Sequence, residues 1–185
     1  MKIKTIFILV ILFFTLIVRV ASAQEVVISP SPTDTPTPTP VQYALPYPGI
    51  LPGHPFYFLK TLRDNVMDFL ISNPLKKGEF DLLQADKNMA AVQALAPTKN
   101  NPVVLETLGK AEDYFAKAIL KAQEANKQGL DMSDLVARLS VANLKHQEVM
   151  KDLVKSAQGD DKQKFSSEAE KFTKFGQTVA KLRNK

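Results

Sequence analysis

His54, His146, Asp64 and Asp68 are the side chains whose types and spacing come nearest to a metal site in this sequence. Imidazole nitrogen and carboxylate oxygen together suit a first-row transition metal, and two aspartates four residues apart share one face of a helix. The same spacing is ordinary on a solvated helix face, so no metal ligand is assigned and the four residues stand as candidates only. His146 lies one turn from both Ala142 and Met150, in the middle of an apolar stripe. A hydrogen-bonded core histidine is the default expectation there. His54, between Pro52 and Pro55, either caps the helix that follows or lies exposed.

Acid–base hydrolysis would need two carboxyl groups held across a cleft in environments that separate their pKa values. The acids here alternate with lysines instead. Lys60 with Asp64, Lys77 with Asp81, Asp113 with Lys117 and Asp134 with Arg138 are spaced as surface ion pairs worth roughly a few tenths of a kcal/mol each. No nucleophile elbow, phosphate loop or histidine–zinc helix motif is present. With no cysteine, disulfides, thiolate metal sites and cysteine nucleophiles are excluded. The expectation is a protein that is not an enzyme and carries no cofactor.

The elements that would position these residues begin after residue 55. Phe58, Leu59, Leu62, Val66, Phe69 and Leu70 recur at helical spacing behind Pro55. Asn73-Pro74 opens a second helix to about Ala96, with Leu75, Leu82, Met89 and Val92 on one stripe. Asn101-Pro102 repeats that start signal ahead of Val104, Leu108, Ala111, Phe115, Ala118, Ile119 and Ala122, and Gly129 stops the third helix. Asp131 or Ser133 caps a fourth, bearing Leu135, Val136, Leu139, Ala142, Val149, Met150, Leu153 and Val154, which Gly159 ends. Asp160 and Asp161 favour the start of a fifth, with Phe165, Ala169, Phe172, Phe175, Val179 and Leu182 facing inward. Gly176 beside that face either weakens the helix or admits a close neighbour. No segment alternates as a strand does, so the fold class is all-α, an antiparallel bundle of four to five helices.

The N-terminal part reads differently. Lys2 and Lys4, an apolar run from Ile6 to Val18 and Ala21-Ser22-Ala23 form the pattern of a signal peptide over 1–23. A spanning helix needs about 20 apolar residues, so an uncleaved membrane anchor is the minority alternative. Residues 24–42 contain SPSPTDTPTPTP, a proline-rich linker too polar to pack. Its threonines are possible sugar acceptors. The helical domain is then 43–185. Loss of 1–23 removes three of the 24 bases and none of the 19 acids, leaving a net charge of +2. That balance, interspersed along the helices, offers no footprint for nucleic acid.

Between linker and helices, YALPYPGILPGHPFY is an extended arm, kept from helix by its prolines. Tyr43, Leu45, Tyr47, Ile50 and Leu51 are too apolar to leave in water. The arm either covers an apolar groove on the bundle or serves as a proline-rich ligand for another protein.

The string from Tyr43 to Lys87, with a Pro-Gly-x-Leu-Pro arm leading into a Tyr-x-Leu-Lys helix, resembles an uncharacterised family of exported bacterial helical proteins, a domain of unknown function. The resemblance implies an extracytoplasmic helical domain and no catalytic residues. The functional expectation is a non-enzymatic interaction or scaffold module of the cell envelope. Its partner would be another envelope protein, not nucleic acid, with membrane contact only through an uncleaved N-terminus. An extracytoplasmic sensor of a metal or small ligand is the alternative.

Overall fold

The computed structural model describes residues 41–99 and 101–184. The expected signal peptide and the linker to residue 40 lie outside the described residues.

Five α-helices follow the arm: α1 (Tyr57–Leu70), α2 (Pro74–Leu95), α3 (Asn101–Lys127), α4 (Ser133–Ser156) and α5 (Gly159–Arg183). The all-α bundle is therefore present, with no strand among the described residues. Local chemistry sets most of the boundaries. The Asn73 side chain accepts from Leu75 N–H at 2.9 Å and Lys76 N–H at 3.1 Å, satisfying two otherwise orphaned donors at the start of α2. Gly129 takes φ +72°, and Leu130 N–H returns to Ala125 C=O at 3.0 Å to close α3. Asp131 accepts from Ser133 N–H at 2.9 Å ahead of α4, and its hydrogen bonds with Ser133 lower its pKa. Two expected signals act otherwise. Asn101 is the first residue of α3, and its amide donates to Asp161 at 2.5 Å on α5. Gly159 opens α5, because α4 has already stopped at Ser156.

Helices α2 to α5 make the core, with α2 packed along α3 and α4 along α5. One cluster joins Leu82 and Ala85 to Phe115, Ile119, Leu135, Leu139 and Val179. A second joins Met89 and Val92 to Val104, Leu108, Met150, Phe165 and Phe172. Each cluster combines early residues of α2 and α4 with late ones of α3 and α5, or the reverse. That is the signature of successive helices running up and down. Gly176 admits its neighbour: a Cβ there would stand 2.6 Å from the Asn143 amide on α4.

The arm lies against this body. Tyr43 packs on the first cluster and Leu45 and Leu51 on the second, whereas Tyr47 is 83 % exposed and Ile50 also faces out. Backbone pins accompany the packing, with Val41 N–H donating to Glu148 at 2.9 Å. Leu45→Ala and Leu51→Ala should therefore each cost about 1 kcal/mol in urea unfolding, less than full burial would give. Tyr47→Ser should stay within about 0.5 kcal/mol. Equal losses at all three positions would contradict this division of the arm.

Candidate functional site

Helix α1 turns its apolar face away from the rest of the bundle. Its buried residues are Lys60 and Asp64, while Phe58, Leu59, Leu62, Val66, Met67, Phe69 and Leu70 are all exposed, Phe69 at 86 %. Neither core cluster takes a side chain from it. The reason lies in what α1 meets. The side of α2 it approaches carries Asp81, Gln84 and Asn88, all buried, and α3 offers Lys110 and Lys117. Such a surface accepts charged and hydrogen-bonding side chains and rejects leucines.

Between α1, α2 and α3 runs a cleft of about 230 Å³, lined from α1 by Tyr57, Lys60 and Asp64. Lys60 Nζ donates to the Pro48 carbonyl of the arm at 2.9 Å, and burial lowers its pKa against the opposing pull of Asp64. Lys60 and Lys110 flank the Tyr57 ring at 5.6 and 5.3 Å from its centroid, and Lys117 sits 4.9 Å from that of Tyr114. For Lys110, burial works against the charge, but the Glu106 carboxylate at 2.8 Å outweighs it and the pKa rises. At the far end of α1, Lys77 Nζ lies 2.7 Å from the Asp68 carboxylate and also donates to the Asp68 carbonyl.

Asp81 continues this polar seam. It is 1 % exposed, neither carboxylate oxygen has a hydrogen-bond partner, and burial, reinforced by Asp68, raises its pKa to about 6. Glu112 is a second perturbed acid, on the α3–α5 side. Burial first, then a hydrogen bond shared with Glu168, lifts it to about 7, while Lys171 at 2.8 Å pulls the other way. Glu168 moves down in response, so one proton is shared by the pair.

The candidate metal residues do not come together. His54 is exposed and accepts from Phe56 N–H at 3.2 Å, a small capping turn before α1. Asp64 accepts two hydrogen bonds from the Arg63 guanidinium, at 2.7 and 3.0 Å. Asp68 is held by Lys77. His146 is 0 % exposed and lies in the other half of the bundle interior, its Nε2 2.8 Å from Asp86. Tyr43 O–H donates to the other oxygen of that carboxylate at 2.5 Å, so the arm caps a buried Tyr–Asp–His chain. Burial, then the Asp86 hydrogen bond, raises the Tyr43 pKa. Phe115 and Phe172 pack edge-on around the imidazole at 5.3 and 5.5 Å. Among the described residues no group of three or more His, Cys, Asp or Glu could hold a metal ion.

None of the four expected i,i+4 ion pairs forms. Lys60 goes to a carbonyl, Asp64 to Arg63, Lys77 to Asp68, and Asp81 is left without a partner; Asp113 with Lys117 and Asp134 with Arg138 do not close either. The partners come instead from tertiary neighbours or from other turns. A signal for the seam was nevertheless present. Lys77, Asp81, Gln84 and Asn88 make a polar stripe at four, three and four residues on a helix that also has an apolar one.

A family model described as a domain of unknown function (DUF5667) matches residues 49–173. Comparison with curated proteins and with solved structures gives no match. The match spans more than half of the sequence, from the arm through most of α5, and the chain belongs to this family.

Proposed function

We propose that this member of a family of unknown function is a non-enzymatic interaction module of the cell envelope, with the outward face of α1 as its recognition surface. The observation that carries the reading is the inverted helix: seven large apolar side chains on 14 residues face solvent while Lys60 and Asp64 are inside. Contiguous exposed apolar surface of this kind marks sites of association. The N-terminal signal pattern supports the envelope location. The arm is the weaker recognition candidate, since Tyr43, Leu45 and Leu51 are occupied on the bundle.

The test is site-specific photo-cross-linking in an exporting host, with the reactive group placed at Leu62 or Phe69 and, for comparison, at Tyr47. Discrete adducts from the α1 positions and none from Tyr47 are expected. Adducts from Tyr47 alone would move recognition to the arm. No adduct from α1 would overturn the proposal.

A further inference from the structure

The occupant of the α1 face can be read from its pattern. Leu59, Leu62, Val66 and Phe69 follow one another at three, four and three residues, which is the a, d, a, d spacing of two heptads. The seam is symmetric about position 64. A second α1 laid antiparallel across it would set Leu59 against Phe69 and Leu62 against Val66, pairing a smaller with a larger side chain at the ends. Asp64, in the position opposite the seam, is buried toward the bundle and leaves the contact clear.

We infer that the face binds a second copy of this chain, forming a two-fold antiparallel α1–α1 pair. The inference rests on the proposed role of α1 in recognition. A two-fold interface requires one patch complementary to itself, and this seam meets that condition. The seven large apolar residues of α1 stand 43–86 % exposed and Phe56 adjoins them at 57 %, a contiguous apolar patch of the kind that marks an association surface. Charge agrees with it. The one charged residue flanking the seam is Arg63, and Asp64 on the same helix neutralises it at 2.7 Å, so two copies bring no repulsion. A bilayer surface fits less well, because a helix lying on lipid needs its cations free toward the headgroups. Lys60 and Lys77 are turned inward onto a carbonyl and a carboxylate.

Sedimentation of the chain as exported, and of the unit Pro40–Lys185, tests this. That unit is compact by itself and holds both core clusters. Both forms should sediment at twice the monomer mass, and Leu62→Glu with Val66→Glu should return them to monomer with an unchanged circular dichroism melt. The chain lacks cysteine, so orientation is read by mixing Leu59→Cys with Phe69→Cys protein under oxidation. Mixed disulfide dimers are expected. Dimers of Leu59→Cys alone would overturn the antiparallel pair.

A monomer in both forms at every concentration would overturn the inference. So would a dimer seen only in the shorter unit, which would mean that residues before 40 cover the face. Monomer that co-sediments with phosphatidylglycerol vesicles, and loses this with Leu62→Glu, would overturn it in favour of lipid. A monomer whose α1 still cross-links to a different envelope protein would remove the self-pairing and leave the recognition reading standing.

Discussion

Asp86→Ala is expected to cost about 2–4 kcal/mol of stability, because it takes the acceptor from two donors of the interior at about 1–3 kcal/mol each. Asp86 is the acceptor for two groups from opposite sides of the fold, His146 Nε2 at 2.8 Å and Tyr43 O–H at 2.5 Å. His146 Nδ1 already has no partner. With Nε2–H donating to Asp86, Nδ1 is a bare acceptor lined by phenyl rings, the cheaper of the two groups to leave unpaired. Without the carboxylate, a buried donor is stranded as well and the arm loses its attachment at Tyr43. Urea unfolding of Asp86→Ala beside Asp86→Asn separates charge from hydrogen bonding, because Asn keeps an acceptor at the same place. A loss below about 1 kcal/mol in the alanine variant would mean that water replaces Asp86 at no cost.

Asp81→Asn should do the opposite and stabilise the protein near pH 7.5 by about 2–3 kcal/mol. The folded-state pKa of about 6 stands above the ordinary 3.8. The folded chain therefore holds this proton more tightly than the unfolded one. Stability from this group is fully present below pH 3.8 and is lost as pH rises to about 6, at about 1.4 kcal/mol for each pH unit between those values. Asn carries no charge at any pH, so its advantage should vanish below about pH 4 and level off above about pH 6. Glu112 adds a loss of the same sign between 4.5 and about 7, reduced by the downward move of Glu168. Melting temperatures of both proteins across the range from acid to mildly alkaline pH check the sign. A gain that does not change with pH would remove the buried charge as its cause.

The helices of the core were legible because each carries its own punctuation: Asn73 and Pro74 at one start, Gly129 at one end, and apolar stripes whose members are nearly all buried. His146 was legible for the same reason, standing between Ala142 and Met150 on such a stripe. Helix α1 shows what periodicity leaves out. Its apolar spacing specifies a helix with an apolar face, but the direction of that face depends on the surface it meets, here the polar stripe of α2. Ion pairs were illegible in a different way. A lysine four residues from an aspartate is a pair only if neither finds a better partner across the fold, and Lys60 and Lys77 both do. Asp81 and Glu112 look like any surface acids until neighbouring helices close over them.

The attachment of α1 also has a mechanical consequence. The four-helix body completes both apolar clusters without it, and α1 is held by polar ties at Lys60–Pro48 and Asp68–Lys77 and by the short connection through residues 71–73. Load applied through α1 would meet these ties one after another, whereas the body would have to surrender its packed side chains together. The helix would peel away at low force with the core intact. Such a joint acts as a fuse: whatever pulls on α1 would be released before the packed four-helix body begins to unfold.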